Sequence, residues 1–305
     1  MSKTKQNRTS ADTKRRSLVL RNLRENAMYV VFLAAAAVSI LAVLLICLFL
    51  FSNAIPTIAQ IGPLQFLSGL KWVPNSDVYG ILPMIVGSIY VTAGACLIGV
   101  PIGVLAAVFM ARFCPASLYK ILQPAVSLMA GIPSIVYGFF GMVVLVPFIH
   151  NTLGGNGKSL ATASILLGIM ILPTIISVSE SALRSVDNSY YEGSLALGAT
   201  KECSIFYVLL PAAKSGIFAS IVLGLGRAIG ETMAVVMVAG NQNLIPSSIT
   251  QGVRTMTANI VLEMGEAADL HRQALIATAA VLFVFILLIN LSFSAIRVHM
   301  EGKVK

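Results

Sequence analysis

Six apolar runs, each long enough to cross a bilayer, dictate what this chain can become. They extend from Met28 to Phe51, Ile81 to Met110, Leu122 to Ile149, Leu160 to Leu183, Gly216 to Gly240 and Ala274 to Ile296. A hydrocarbon core of about 30 Å takes roughly 20 helical residues to span. Lipid offers the backbone no hydrogen-bond partner, so each run must satisfy its own N–H and C=O groups, which a helix does. Of 305 residues only 11% are charged, against roughly a quarter in soluble domains. The expected fold is an all-α integral membrane protein with six transmembrane helices.

Basic residues orient the spans, because cytoplasmic loops retain Lys and Arg. The N-terminal tail carries Lys3, Lys5, Arg8, Lys14, Arg15, Arg16, Arg21 and Arg24. Six spans put Arg112, Lys120, Arg184, Lys201, Lys214, Arg297, Lys303 and Lys305 on the same side, against Lys71, Lys158, Arg254 and Arg272 opposite. Sixteen against four places both termini in the cytoplasm. The expected organisation is a basic tail at 1–27, a first helix and external loop at 28–80, a core of five helices at 81–297 and a short tail at 298–305. The tail's polar, charged composition predicts disorder. The net charge of +9 sits largely in that tail, where retention and anionic lipid account for it, so no nucleic-acid partner is implied.

Cys47, Cys96, Cys114 and Cys203 are scattered, without a CxxC spacing, and read as small apolar fillers. His150, His271 and His299 fall at loops or the C-terminal end, so no metal centre is expected.

Arg227 and Glu231 lie near the middle of the fifth run. An ionised group at membrane depth costs at least a few kcal/mol, so it marks a partner, a wet cavity or a substrate path. An arginine offers a rigid fork of donors to an oxyanion, which points to an anion pathway. On a continuous helix the i,i+4 spacing would let the two side chains pair. Gly216, Ser220 and Gly224 recur at four-residue steps, as do Gly226, Gly230 and Ala234, predicting small-residue seams where another helix can approach.

The loops differ in character. The first external loop holds Trp72, the only tryptophan, read as an interfacial anchor. The last one, Asn241 to Gln273, holds Glu263, Glu266 and Asp269 on what reads as a solvated face. The cytoplasmic loop at 184–214 is longer than a hop between neighbouring helices needs. Within it, Ser189 to Leu197 predicts a short helix, Gly198 a break and Thr200 to Leu209 a second helix before Pro211.

That loop carries a pattern. Glu192-Gly193-Ser194, three residues, Gly198, nine residues, then Val208-Leu209-Leu210-Pro211 resembles the EAA loop of ABC importer permeases. Glu192, Gly198, Leu210 and Pro211 match in identity and spacing, while Gly193, Ser194 and Val208 depart from it conservatively. The stretches Ala130 to Gly138 and Gly224 to Val235 resemble those of phosphate permease subunits. The loop around Trp72 and the run Asp77 to Gly80 resemble the PstC-type subunit more than the PstA-type. The resemblance implies a type I importer permease fold and an ATPase docking on the 184–214 loop. It implies as partners a second, PstA-type permease subunit, a PstB-type ATPase dimer and an external PstS-type phosphate-binding protein. ATP and its magnesium would bind the ATPase, with no cofactor on this chain.

Other readings fail on their own chemistry. Gly157-Lys158-Ser159 lacks the earlier glycine of a phosphate-binding loop, since Thr152 stands there, and Gly224-Leu225-Gly226 has Ile229 in place of a third glycine. Intramembrane proteolysis needs Ser with His, or paired Asp, at depth, and no span carries them. A secondary transporter would show repeated halves or paired broken helices, and neither is legible here. Sulfate, molybdate and phosphonate offer an arginine oxygens like those of phosphate, so only the resemblance selects phosphate.

Overall fold

The computed structural model describes the backbone of residues 2–302 and the side chains of residues 25–295. The side chains of the basic tail up to Arg24, and those of Arg297, His299, Lys303 and Lys305, lie outside the described residues. By contacts the chain forms two units, 1–52 and 53–305. The first belongs to helix α1 (Ser2–Ile61), whose large apolar side chains from Met28 to Phe49 are exposed. The basic tail is thus helical rather than disordered, because its Lys, Arg, Gln and Ala propagate a helix already nucleated in the apolar run.

In the second unit, α2 (Pro63–Ser68) leads to a hairpin, β1 (Trp72–Val73) and β2 (Val78–Tyr79), with Trp72 opposite Tyr79. Then come α3 (Leu82–Val108), α4 (Ala116–Gly131), α5 (Ser134–Phe140), α6 (Val146–Leu153) and α7 (Leu160–Arg184). The 184–214 loop holds α8 (Asn188–Ala196), α9 (Lys201–Cys203) and α10 (Leu210–Ala212). Finally come α11 (Lys214–Gly230), α12 (Met233–Val238), α13 (Met256–Glu263) and α14 (Asp269–Gly302). Wider π turns cover Phe109–Phe113, Gly141–Leu145 and Ser204–Leu209. Five helices among the described residues are long and apolar enough to cross a membrane, six if the pair bent by 68° at Ala213 counts as one.

Two spans that hydropathy draws as single helices are broken. The third stops at Gly131 and resumes at Ser134, because Pro133 cannot donate an N–H and biases Ile132 to extended backbone. The fifth stops at Gly230, where Glu231 is extended (φ −69°, ψ 132°), and resumes at Met233. Each break follows 16 or 17 helical residues, and α5 packs on α12 beyond it. Paired broken helices are therefore present, contrary to the sequence reading.

Helix α7 is the centre of the unit, packed on α3 along one side and α11 along another. Gly99 and Gly103 of α3 meet Ile171 and Ile175, and Gly224 of α11 meets Ile175 from the other side. At Gly216 a Cβ would collide with that of Ala182, and between these glycines the Ser220 and Ser179 hydroxyls bond at 2.7 Å. The small residues let backbones approach, and Ile171, Ile175, Leu166 and Leu167 fill the interior. The α7 N-terminus is sealed: Leu160 and Ala161 donate to the carbonyls of Gln251 and Ile249, and Ser159 caps Thr162. Its first-turn N–H groups are thereby satisfied inside the protein.

Candidate functional site

Arg227 lies in the last turn of α11, half-buried, 13 residues or about 20 Å along the helix from Lys214. Among the described residues its side chain makes no hydrogen bond or ion pair; its charge acts on Tyr137 of α5. The Tyr137 hydroxyl donates to the Met129 carbonyl at 2.9 Å, pinning α5 to the end of α4 across the break. A cation is favoured at this position by the helix end, since the C-terminus of a helix amounts to about half a negative charge.

Glu231 does not pair with Arg227. The helix stops one residue before it, so the i,i+4 geometry is lost and its carboxylate turns to α12, where Oε1 accepts from the Ala234 N–H at 3.2 Å. The Thr257 hydroxyl donates to the Glu231 carbonyl at 3.0 Å, tying the break to the start of α13. The seam of Gly226, Gly230 and Ala234 does not run on either, since the last lies past the break. Nothing stands within 4 Å of a Cβ on Gly226 or Gly230, and so both leave open space beside Arg227.

The 184–214 loop forms a helix, a glycine turn and a second helix. Asp187 caps α8 through the Ser189 N–H, and Thr200 caps α9 through the Cys203 N–H. Gly198 has φ +90°, with Ala199 N–H on the Ser194 carbonyl and Gly198 N–H on that of Leu195, a left-handed helix stop. Ile205 and Leu209 bury into a cluster with Ala107, Leu183 and Ile217, fixing the loop to α3, α7 and α11. Leu210 is half-buried, while Glu192 and Pro211 are exposed. Tyr190, Leu197 and Tyr207 also stand in the open, Leu197 at 91%.

At the far end, the sequence reading missed a polar clasp. Trp72 is buried, 4% exposed, and donates from Nε1 to Glu263 at 2.7 Å, so it is not an interfacial anchor. Glu263 also accepts from Arg254 at 2.6 Å and from His271 at 2.9 Å, so it is no solvated residue. Arg254 reaches on to the Asn241 carbonyl and Asn259. Burial pushes the Glu263 carboxyl up, but the hydrogen bonds from Trp72, His271 and Arg254, with the Arg254 charge, outweigh it and hold it below the usual range. Glu180, 7% exposed on α7 and paired with Arg184 at 2.8 Å, also went unremarked. Its signal was a lone carboxylate inside an apolar run.

These elements define a multi-pass membrane subunit with two broken spans. The chain belongs to the family of binding-protein-dependent transport system inner membrane components, whose signature matches residues 99–305, and it is an ABC permease. It is 41% identical over 281 residues to the probable ABC transporter permease protein YqgH of Bacillus subtilis, covering 88% of this chain and 91% of that one. It is 35% identical over 277 residues to the phosphate transport system permease protein PstC of Mesorhizobium japonicum, covering 84% of each. Among solved structures it resembles the inward-facing MetNI methionine ABC transporter, with TM-score 0.54, 22% identity and coverage of 72% of this chain and 94% of that one. A bacterial alginate ABC transporter gives TM-score 0.55, 18% identity and coverage of 88% and 93%. These two similarities establish the architecture alone.

Proposed function

We propose that this chain is the PstC-type subunit of an ATP-driven importer of inorganic phosphate, with both termini in the cytoplasm. The observation that carries the reading is Arg227: a permanently charged donor fork at membrane depth, lacking a protein acceptor among the described residues, beside a helix break and two bare glycines. Relatives named as phosphate permeases support the choice of oxyanion. Extended backbone at depth is tolerated where it lines a cavity, which suits the breaks at Ile132 and Glu231.

The energy comes from partners. A PstB-type ATPase dimer would dock on the exposed surface of Glu192, Leu197 and Tyr207, with Gly198 as the turn between two short helices. Movement there reaches the membrane through Ile205 and Leu209, which pack on α3, α7 and α11. A PstA-type permease would complete the path opposite Gly226 and Gly230, and a PstS-type protein would deliver phosphate at the Trp72 end. Glu231 acts on the break itself, holding α12 in place.

The test is labelled phosphate uptake into vesicles bearing the whole complex. Arg227→Ala should abolish uptake with assembly intact, and Arg227→Lys should leave a remnant, since a point charge lacks the fork. Wild-type uptake by Arg227→Ala would make Arg227 structural. Competition by sulfate or molybdate equal to that by phosphate would remove the phosphate assignment.

A further inference from the structure

A polar cavity of about 380 Å³ opens between α4 and α7, on the Arg184 side of Arg227. Gln123 and Ser127 of α4 face Ser177 and Ser181 of α7 across it, and all four are exposed within the chain. Ser127 donates back to the Gln123 carbonyl at 3.0 Å, but among the described residues the Gln123 amide and the Ser177 and Ser181 hydroxyls make no hydrogen bond, and polar side chains left facing lipid are costly. The space equals about a dozen waters at roughly 30 Å³ each, room for a small oxyanion with much of its hydration.

The lining also holds an ion pair. Arg184 Nε contacts Glu180 Oε1 at 2.8 Å, its Nη2 donates to the Met110 carbonyl, and its guanidinium lies over the Tyr119 ring. The cavity thus presents a cation already largely neutralised, unlike Arg227. From Met129, where Tyr137 is anchored, Val126, Gln123 and Tyr119 follow at three- and four-residue steps, one face of α4 leading from the break to this pair.

We infer that this cavity is the release vestibule for the transported oxyanion. The anion leaving Arg227 is held by the Ser177 and Ser181 hydroxyls, the Gln123 amide and Arg184, while Glu180 keeps Arg184 from retaining it. The inference rests on the anion-path reading of Arg227.

Its test uses the whole complex in vesicles loaded with phosphate on the Arg184 side. Glu180→Gln leaves Arg184 uncompensated, so internal phosphate should inhibit uptake at a concentration about tenfold lower than for the wild type. Glu180→Gln with Arg184→Gln restores neutrality and should return inhibition to the wild-type range, separating retention from misfolding. Independently, Ser181→Cys, with Cys114 and Cys203 replaced by serine, should react with a membrane-impermeant thiol reagent supplied from that side, and internal phosphate should slow the reaction. Unchanged inhibition together with labelling indifferent to phosphate would overturn the vestibule. So would an effect of Glu180→Gln that appears only in phosphatidylglycerol vesicles and not in phosphatidylcholine ones, which assigns the cavity to a lipid headgroup. Arg227→Ala run in parallel separates the failures: dead Arg227→Ala with indifferent Glu180→Gln sinks the vestibule alone, and active Arg227→Ala sinks the path.

Discussion

Arg112 and Arg184 strap two helices together by exchange: Arg112 donates to the Leu183 carbonyl of α7 at 2.8 Å, and Arg184 to the Met110 carbonyl after α3 at 3.1 Å. Each cation sits on the other helix's C-terminal carbonyls, where the helix dipole favours it. Arg112 also reaches Asn188, the first residue of α8, at 3.5 Å. The strap therefore joins both helices to the 184–214 loop. Arg112→Ala should cost about 1.5–3 kcal/mol, the worth of a hydrogen bond to a charged group. Thermal unfolding in detergent measures it; an unchanged midpoint would show that the strap is ornamental.

The α7–α11 contact offers a sharper test of packing. Gly216→Ala drives a methyl into that of Ala182, and overpacking of this kind costs about 1–3 kcal/mol. Ala182→Gly added to it should recover most of the loss, because the pair exchanges one methyl for another. Gly226→Ala, with no neighbour within 4 Å, should leave the chain's stability unchanged. If all three variants melt alike, the small-residue seam is not where these helices meet.

At Gly198 the backbone, not space, forbids a side chain: φ is +90° with nothing within 4 Å of a Cβ. Gly198→Ala should cost about 1–2 kcal/mol of loop stability, and Gly198→Asn less. ATPase-driven uptake should fall in that order if the loop transmits force. Equal uptake in both would take the turn out of coupling.

The Glu263 clasp predicts an acid transition. Its folded pKa lies below the unfolded one. The clasp's contribution is thus full above the ordinary glutamate value of about 4.3 and is lost as pH falls through the lower folded value. Trp72 is the chain's only tryptophan, so its emission in the purified chain follows the clasp directly. Glu263→Gln should shift that emission at neutral pH and flatten the acid step; an acid step of wild-type size would clear Glu263 of the role.

The spans were legible because apolar length is a local quantity, and the bracket around Gly198 because caps and glycine stops are local too. The break at Glu231 was not, since the apolar run passes through it without a proline, and the carboxylate that holds α12 looked like half of an ion pair. Pro133 carries a local signal for the other break, but the apolar run from Leu122 to Ile149 drew straight over it. The bond from Trp72 to Glu263 joins residues 191 apart, a distance over which no periodicity carries information. Arg227 stood out on charge alone, while its surroundings came from a helix end that hydropathy does not register.

The wide turn at Phe109–Phe113 contains Arg112. A π turn holds about one residue more than an α turn, so the same five residues wound as α-helix would carry Arg112 roughly a quarter of the way round the axis. The guanidinium would then miss Leu183. Helical phase in these five residues is thus what keeps the buckle fastened, and a shift between windings would undo it with the helix still whole.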